Sequence, residues 1–122
     1  MKVLLVRTRF TIIFTEKAKR AFKEKGVDYN LFKTDLISCR TDPILIKTLE
    51  EINVYNCTNN PGVLKIAIVP DIFSKYFRIL DDNGAEWITI DWNRYMIDNL
   101  PHVNSENLKE WKESIYKAID LL

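Results

Sequence analysis

Glycine is scarce in this chain, three in 122 residues, and histidine occurs once, cysteine twice and proline four times. So few glycines exclude the phosphate-cradling loops of P-loop and dinucleotide-binding proteins, which need several at fixed spacing, and they argue against long flexible linkers. The lone histidine, His102, sits beside Pro101 in a turn between two expected helices, and spacing gives it no nucleophilic partner. Cys39 and Cys57 are too few for a disulfide framework and lack the paired spacing of a zinc site, so free thiols in a reducing cytoplasm are expected. Cys39 lies in Ser38-Cys39-Arg40, where an arginine can lower a thiol pKa, but burial as a small apolar side chain is the simpler expectation. Apolar runs such as Ile66 to Val69 fall far short of the roughly 18 to 20 residues of a membrane span. Arg7 and Arg9 interrupt the apolar start before it reaches the length of a signal-peptide core. A cytoplasmic protein without a membrane segment or cofactor is expected.

What the chain does contain is enough to fold. Hydrophobic residues make up 47% and charged residues 29%, the balance of an ordinary globular protein rather than a disordered one. The length predicts a single domain over residues 1–122 with one core, since either half alone would be too small. The net charge of +1 is unevenly spread: residues 1–25 carry +6 and the remainder −5.

Elements follow from periodicity and punctuation. From Lys2 to Phe14, β-branched and aromatic residues predict one strand or two short ones. Thr15 then caps a helix bearing Ala18, Ala21 and Phe22 on its inner face, and Gly26 stops it. Residues 27–40 show no clean period and read as a packed connection, with room for a short strand near Leu36 to Cys39. Thr41 or Asp42, followed by Pro43, starts a helix to about Ile52. Leu64 to Val69 reads as a strand closed by Pro70, which marks an edge or an end. Phe77 to Leu80 and Trp87 to Ile90 flank Asn83-Gly84, the strongest short-range hairpin signal. Asp91 caps a helix carrying Trp92, Tyr95, Met96 and Leu100, and a last amphipathic helix carries Leu108, Trp111, Ile115, Ala118, Ile119 and Leu122. Strands and helices are segregated rather than alternating, which predicts an α+β fold: a small, mostly antiparallel sheet with a central hairpin, packed by about four helices.

No catalytic or metal-binding constellation emerges. Asp81, Asp82, Glu86 and Asp91 are close in sequence but lack the alternating ligands of a calcium loop, and Asp-Asn-Gly is what a tight turn requires. The basic residues Arg7, Arg9, Lys17, Lys19, Arg20 and Lys23 form the one candidate anion or nucleic-acid surface, although a pI near 7.7 and the lack of a known nucleic-acid motif favour a solvated face. Trp87, Trp92, Trp111, Tyr76, Tyr95 and Tyr116 are many large aromatics for this length, and Trp92, at a helix start, and Tyr116, off the main apolar stripe, are the candidate partner contacts.

Two stretches, Arg40-Thr41-Asp42-Pro43 leading to Leu49-Glu50-Glu51, and Leu64-Lys65-Ile66 through Val69-Pro70-Asp71 to Asp82-Asn83-Gly84-Ala85-Glu86-Trp87, resemble small uncharacterised proteins of phages and other viruses. Those proteins place an aspartate directly before the turn glycine, where this chain inserts Asn83. The resemblance implies no chemistry; it implies a viral accessory protein acting in the host cytoplasm on host machinery. Together these features predict a non-enzymatic accessory or protein-interaction domain, with an unknown protein partner or a homodimer. The alternative is nucleic-acid binding through the basic N-terminal region.

Overall fold

The computed structural model describes residues 1–28 and 37–122. Its elements run β1 (Lys2–Val6), α1 (Glu16–Lys25), α2 (Ile37–Arg40), α3 (Pro43–Glu51), β2 (Leu64–Ile68), β3 (Phe77–Asp82), β4 (Ala85–Ile90), α4 (Trp92–Asn99) and α5 (Leu108–Asp120). The fold is α+β, and its strands pair antiparallel in two ladders, β1 with β2 and β3 with β4.

Local chemistry sets most boundaries. The Thr15 hydroxyl accepts from the Ala18 N–H at 3.2 Å to open α1, and Gly26, at φ 69°, lets the Val27 N–H turn back to the Phe22 carbonyl at 2.9 Å and close it. Asp42 caps α3 through the Leu45 N–H at 2.8 Å, with Pro43 in the first turn, where an N–H is not needed. In the hairpin, Asn83 and Gly84 both take positive φ, 55° and 91°, as a two-residue turn matched to strand twist demands. The Asp81 carboxylate locks that turn by accepting from the Gly84 N–H at 2.7 Å.

β1 organises the interior. Its run Val3-Leu4-Leu5-Val6 is apolar at every position, and successive side chains of a strand point to opposite faces, so β1 buries both. Leu4 and Val6 join Ala18 and Phe22 of α1, Leu45, Ile46 and Leu49 of α3, and Leu64 of β2. Val3 and Leu5 join Phe73, Phe77, Ile90, Tyr95 of α4, and Ile115 and Ala118 of α5. The buried residues therefore form two layers on either side of the β1–β2 ladder, where length alone suggested a single core.

Three expectations require correction. Of the one strand or two short ones expected from Lys2 to Phe14, a single strand forms and ends at Val6, because Thr8 accepts from the Phe10 N–H at 3.1 Å and turns the chain, leaving Phe10 and Ile13 exposed; beyond it Arg7 and Phe14 pair only in isolated bridges, to Ala85 and Thr58. The short strand near Leu36 to Cys39 is instead helical from Ile37 to Arg40, closed by the Thr41 N–H and hydroxyl on the Ile37 carbonyl at 3.0 and 2.8 Å; Leu36 lies outside the described residues. The expected inner stripe of α5 is only partly used: Ile115 and Ala118 are buried and Trp111 packs beside them, but Leu108, Ile119 and Leu122 are exposed.

Candidate interaction site

An antiparallel strand between two neighbours is hydrogen-bonded along both edges, and each residue bonds to one side only. In the β1–β2 ladder the bonded partners are odd-numbered: Met1 and Val69 exchange hydrogen bonds at 2.7 and 2.8 Å, and the Arg7 N–H reaches the Val63 carbonyl at 2.7 Å. The backbone groups of Leu4 and Val6 thus point away from β2, and those of Leu64, Ile66 and Ile68 point away from β1. The two outer edges have opposite fates.

The edge of β1 is sealed by a buried ion pair. Arg40, from α2, and Glu86, from β4, meet in a two-pronged contact, with guanidinium nitrogens 2.6 and 3.1 Å from the two carboxylate oxygens. Arg40 also donates to the Leu4 carbonyl at 3.2 Å, and Glu86 accepts from the Val6 N–H at 2.6 Å. The pair therefore takes the place of a neighbouring strand, satisfying one acceptor and one donor of β1 with side chains. This is how the hairpin is tied to the first ladder, and the bridge between Arg7 and Ala85 continues the join.

The edge of β2 is buried at Leu64, but at Ile66 and Ile68 it has no such cover among the described residues. Its outward N–H and C=O groups lie between two grooves, one on each face of the ladder. On the α3 side, a groove of about 640 Å³ runs along Leu64, Ile66 and Ile68 and is walled by Val54, Tyr55 and Glu50. On the α5 side, a groove of about 610 Å³ is walled by Lys65, Ala67, Trp87, Trp92, Ile119 and Leu122. Ile68 is 58% exposed, Trp87 41%, Trp92 38% and Ile119 41%, so the second groove gathers a patch of large apolar side chains that the interior does not absorb.

Of the two candidate partner contacts, Trp92 belongs to this groove, held edge-on against Phe73 with ring centres 5.2 Å apart. Tyr116 is 65% exposed but lies outside the groove walls. Trp87, Ile68 and Ile119 were not singled out from sequence as partner contacts; in β2 the apolar residues Leu64, Ile66, Ala67 and Ile68 are interrupted only by Lys65.

The basic residues fall into two groups. Arg7 and Arg9 turn to the hairpin, Arg7 donating to the Glu86 carbonyl at 3.4 Å and Arg9 to the Asn83 side-chain oxygen at 3.1 Å. Lys19, Arg20 and Lys23 border a shallow recess of about 350 Å³ beside Val27, with Lys19 also 3.3 Å from Glu16, and Lys17 is exposed on the same helix. Arg9 therefore does not share a strand face with Arg7, because β1 has ended before it.

The acidic residues have separate structural tasks. Glu86 is in the buried pair, Asp81 holds the turn, and Asp91 caps α4. The Arg94 N–H and then the Arg78 guanidinium, 2.9 Å away, hold the Asp91 carboxyl below its usual range. Burial pushes the Cys57 thiol up to about 11, against a smaller lowering by its own backbone N–H, and its Sγ donates to the Val54 carbonyl at 3.2 Å. Cys39 is half-buried, and the Arg40 guanidinium beside it in sequence is directed to Glu86 and Leu4. His102 is exposed. Among the described residues no group of His, Cys, Asp and Glu side chains is placed to hold a metal ion, and no helix is long and apolar enough to cross a membrane.

No family model, curated protein or solved structure matches the chain at significant similarity.

Proposed function

We propose that this chain is a non-enzymatic protein-interaction domain that binds by strand addition along the open edge of β2. The observation that carries the reading is the coincidence of outward-pointing backbone groups at Ile66 and Ile68 with an apolar groove on each face of the same strand. An added extended segment would gain backbone hydrogen bonds from the edge and place alternate side chains in the two grooves, so affinity and specificity come from different parts of one contact. Trp87 and Trp92 supply the large, rigid apolar surfaces on which such contacts depend.

The test is selection from a displayed library of random peptides. The expected binders have alternating apolar side chains and lose binding in Ile68→Pro, which removes one outward N–H while leaving the odd-numbered ladder to β1 intact. Binders indifferent to Ile68→Pro, or no binders at all, would overturn the reading.

A second reading rests on the clustering of Lys19, Arg20 and Lys23 around one recess, which supports nucleic-acid backbone binding through α1. It requires affinity for a nucleic acid that falls with salt at a slope of about −0.7 to −0.9 per neutralised phosphate, and no binding at about 50 mM salt excludes it.

A further inference from the structure

We infer that the extended segment received by β2 carries a carboxylate side chain opposite Lys65, two positions from a large apolar side chain opposite Ala67. The inference rests on strand addition at β2 and names the chemistry of the partner.

The charges around the edge carry it. Arg7 and Lys65 are exposed, and each borders both grooves, so one pair of cations serves the whole edge. On the α3 side the remaining cation, Lys2, is already matched, its Nζ lying 2.7 Å from the Glu50 carboxylate. On the α5 side no acidic residue lines the groove, and among the described residues neither Arg7 nor Lys65 has a carboxylate within ion-pair distance. Arg7 directs one guanidinium nitrogen to the Glu86 carbonyl at 3.4 Å, which supplies a partial charge only. A segment bearing an acid compensates this pair, and a basic segment meets like charge, so the edge discriminates between partners by sign.

Strand geometry assigns the acid its place. Lys65 and Ala67 lie opposite Leu5 and Val3 of β1 and so face the α5 side. Ile66 and Ile68 turn their backbone groups outward, so a segment added antiparallel, as in both ladders of this fold, bonds to those two residues. It meets Lys65 and Ala67 at the positions between, where facing Cα atoms approach to about 4.5 Å and opposed side chains interact most closely. The residue opposite Ala67 faces only a methyl group, with Trp87, Trp92 and Ile119 as walls, and the space suits a large apolar side chain. Two residues along the segment, on the same face, the next side chain lies beside Lys65, with Arg7 bordering the same groove. The edge closes at Leu64, which is 2% exposed, so the acid occupies the last open position of the strand.

The experiment uses peptides selected from the displayed random library against the full chain, each then made with glutamate or lysine two positions from its large apolar side chain. Fluorescence anisotropy of the wild-type chain is expected to show the glutamate form bound about 3- to 20-fold tighter than the lysine form, since an exposed cross-strand ion pair is worth up to about five-fold in affinity and its reversal about as much again. Lys65→Glu is expected to invert that preference. Lys25→Glu, an equal change of net charge on α1 outside both grooves, is expected to leave it in place. Selected peptides with no enrichment of acid at that position, a preference that Lys65→Glu leaves unchanged, or one that Lys25→Glu alters as much, would overturn the inference. If Ile68→Pro still abolishes binding in any of those cases, the acidic occupant alone is overturned; binding indifferent to Ile68→Pro overturns strand addition as well.

Discussion

Removing one partner of the Arg40–Glu86 pair is the sharpest perturbation of the fold. In Arg40→Met the Glu86 carboxylate stays in a site where the residue is only 8% exposed, with the Val6 N–H still donating to it, and the Leu4 carbonyl loses the guanidinium. Breaking a buried pair from one side costs about 3–5 kcal/mol, because a charge is left without compensation. Total stability for a chain of this size is on the order of 6–18 kcal/mol, so the change removes a large share of it. Taking a urea dependence of roughly 1.5–2 kcal/mol per molar, the midpoint should fall by about 2–3 M. Glu86→Leu should cost a similar amount, stranding Arg40 and the Val6 N–H. The double variant Arg40→Met/Glu86→Leu carries no buried charge but leaves the Leu4 carbonyl and Val6 N–H unsatisfied, at about 1–3 kcal/mol each. It should therefore be no worse than either single change by more than about 1–2 kcal/mol, giving a coupling of at least about 1 kcal/mol. Urea unfolding followed by tryptophan fluorescence measures all four proteins. Single costs below about 1 kcal/mol, or costs that add within about 0.5 kcal/mol, would refute the claim that this pair closes the β1 edge.

Further outcomes follow from other sites. Gly84→Ala should destabilise by about 1–3 kcal/mol, since the residue is held at φ 91° and an added Cβ would overlap the Arg9 backbone; thermal unfolding reads the loss, and an unchanged midpoint would contradict the turn geometry. Because the folded Asp91 pKa is depressed, its contribution is present above the unfolded carboxylate value near 3.9 and is lost as pH falls through the folded value, so the acid limb of the stability profile should be shallower in Asp91→Asn. The Cys57 pKa is raised in the fold, so its contribution is present below the ordinary thiol range near 8.5 and is lost as pH rises toward about 11; Cys57→Ala should flatten that alkaline decline. Iodoacetamide at pH 8 should accordingly label Cys39 before Cys57, which is 1% exposed, and mass spectrometry after digestion separates the two.

What was legible in the sequence was short-range. Thr15, Asp42 with Pro43, Gly26, Asn83-Gly84 and Asp91 mark their boundaries because each acts on backbone groups within a few residues, and the structure uses every one of them so. The segregated order of elements likewise gave the α+β class. What was not legible depends on distant pairing. Nothing near Arg40 announces that it meets Glu86, 46 residues away, and the arginine's neighbourhood with Cys39 suggested a different role. The pairing of β1 with β2 spans more than half the chain, so which edge of Leu64–Ile68 stays open cannot be read from that segment, even though Pro70 marked it as an edge or an end. The helical turn at Ile37–Arg40 escaped periodicity because four residues are too few to show one. Trp92 was found because it sits at a helix start; Trp87 was passed over as a hairpin residue, and only the tertiary fold brings both to the same groove.

Residue-resolved amide hydrogen exchange across β2 tests the central claim most directly. In the free chain Lys65 and Ala67 should be protected and Ile66 and Ile68 should exchange rapidly, with the last two becoming protected when a selected extended peptide is added. Uniform protection of all four in the free chain, or persistent rapid exchange of Ile66 and Ile68 in saturating peptide, would contradict an open edge that receives an added strand.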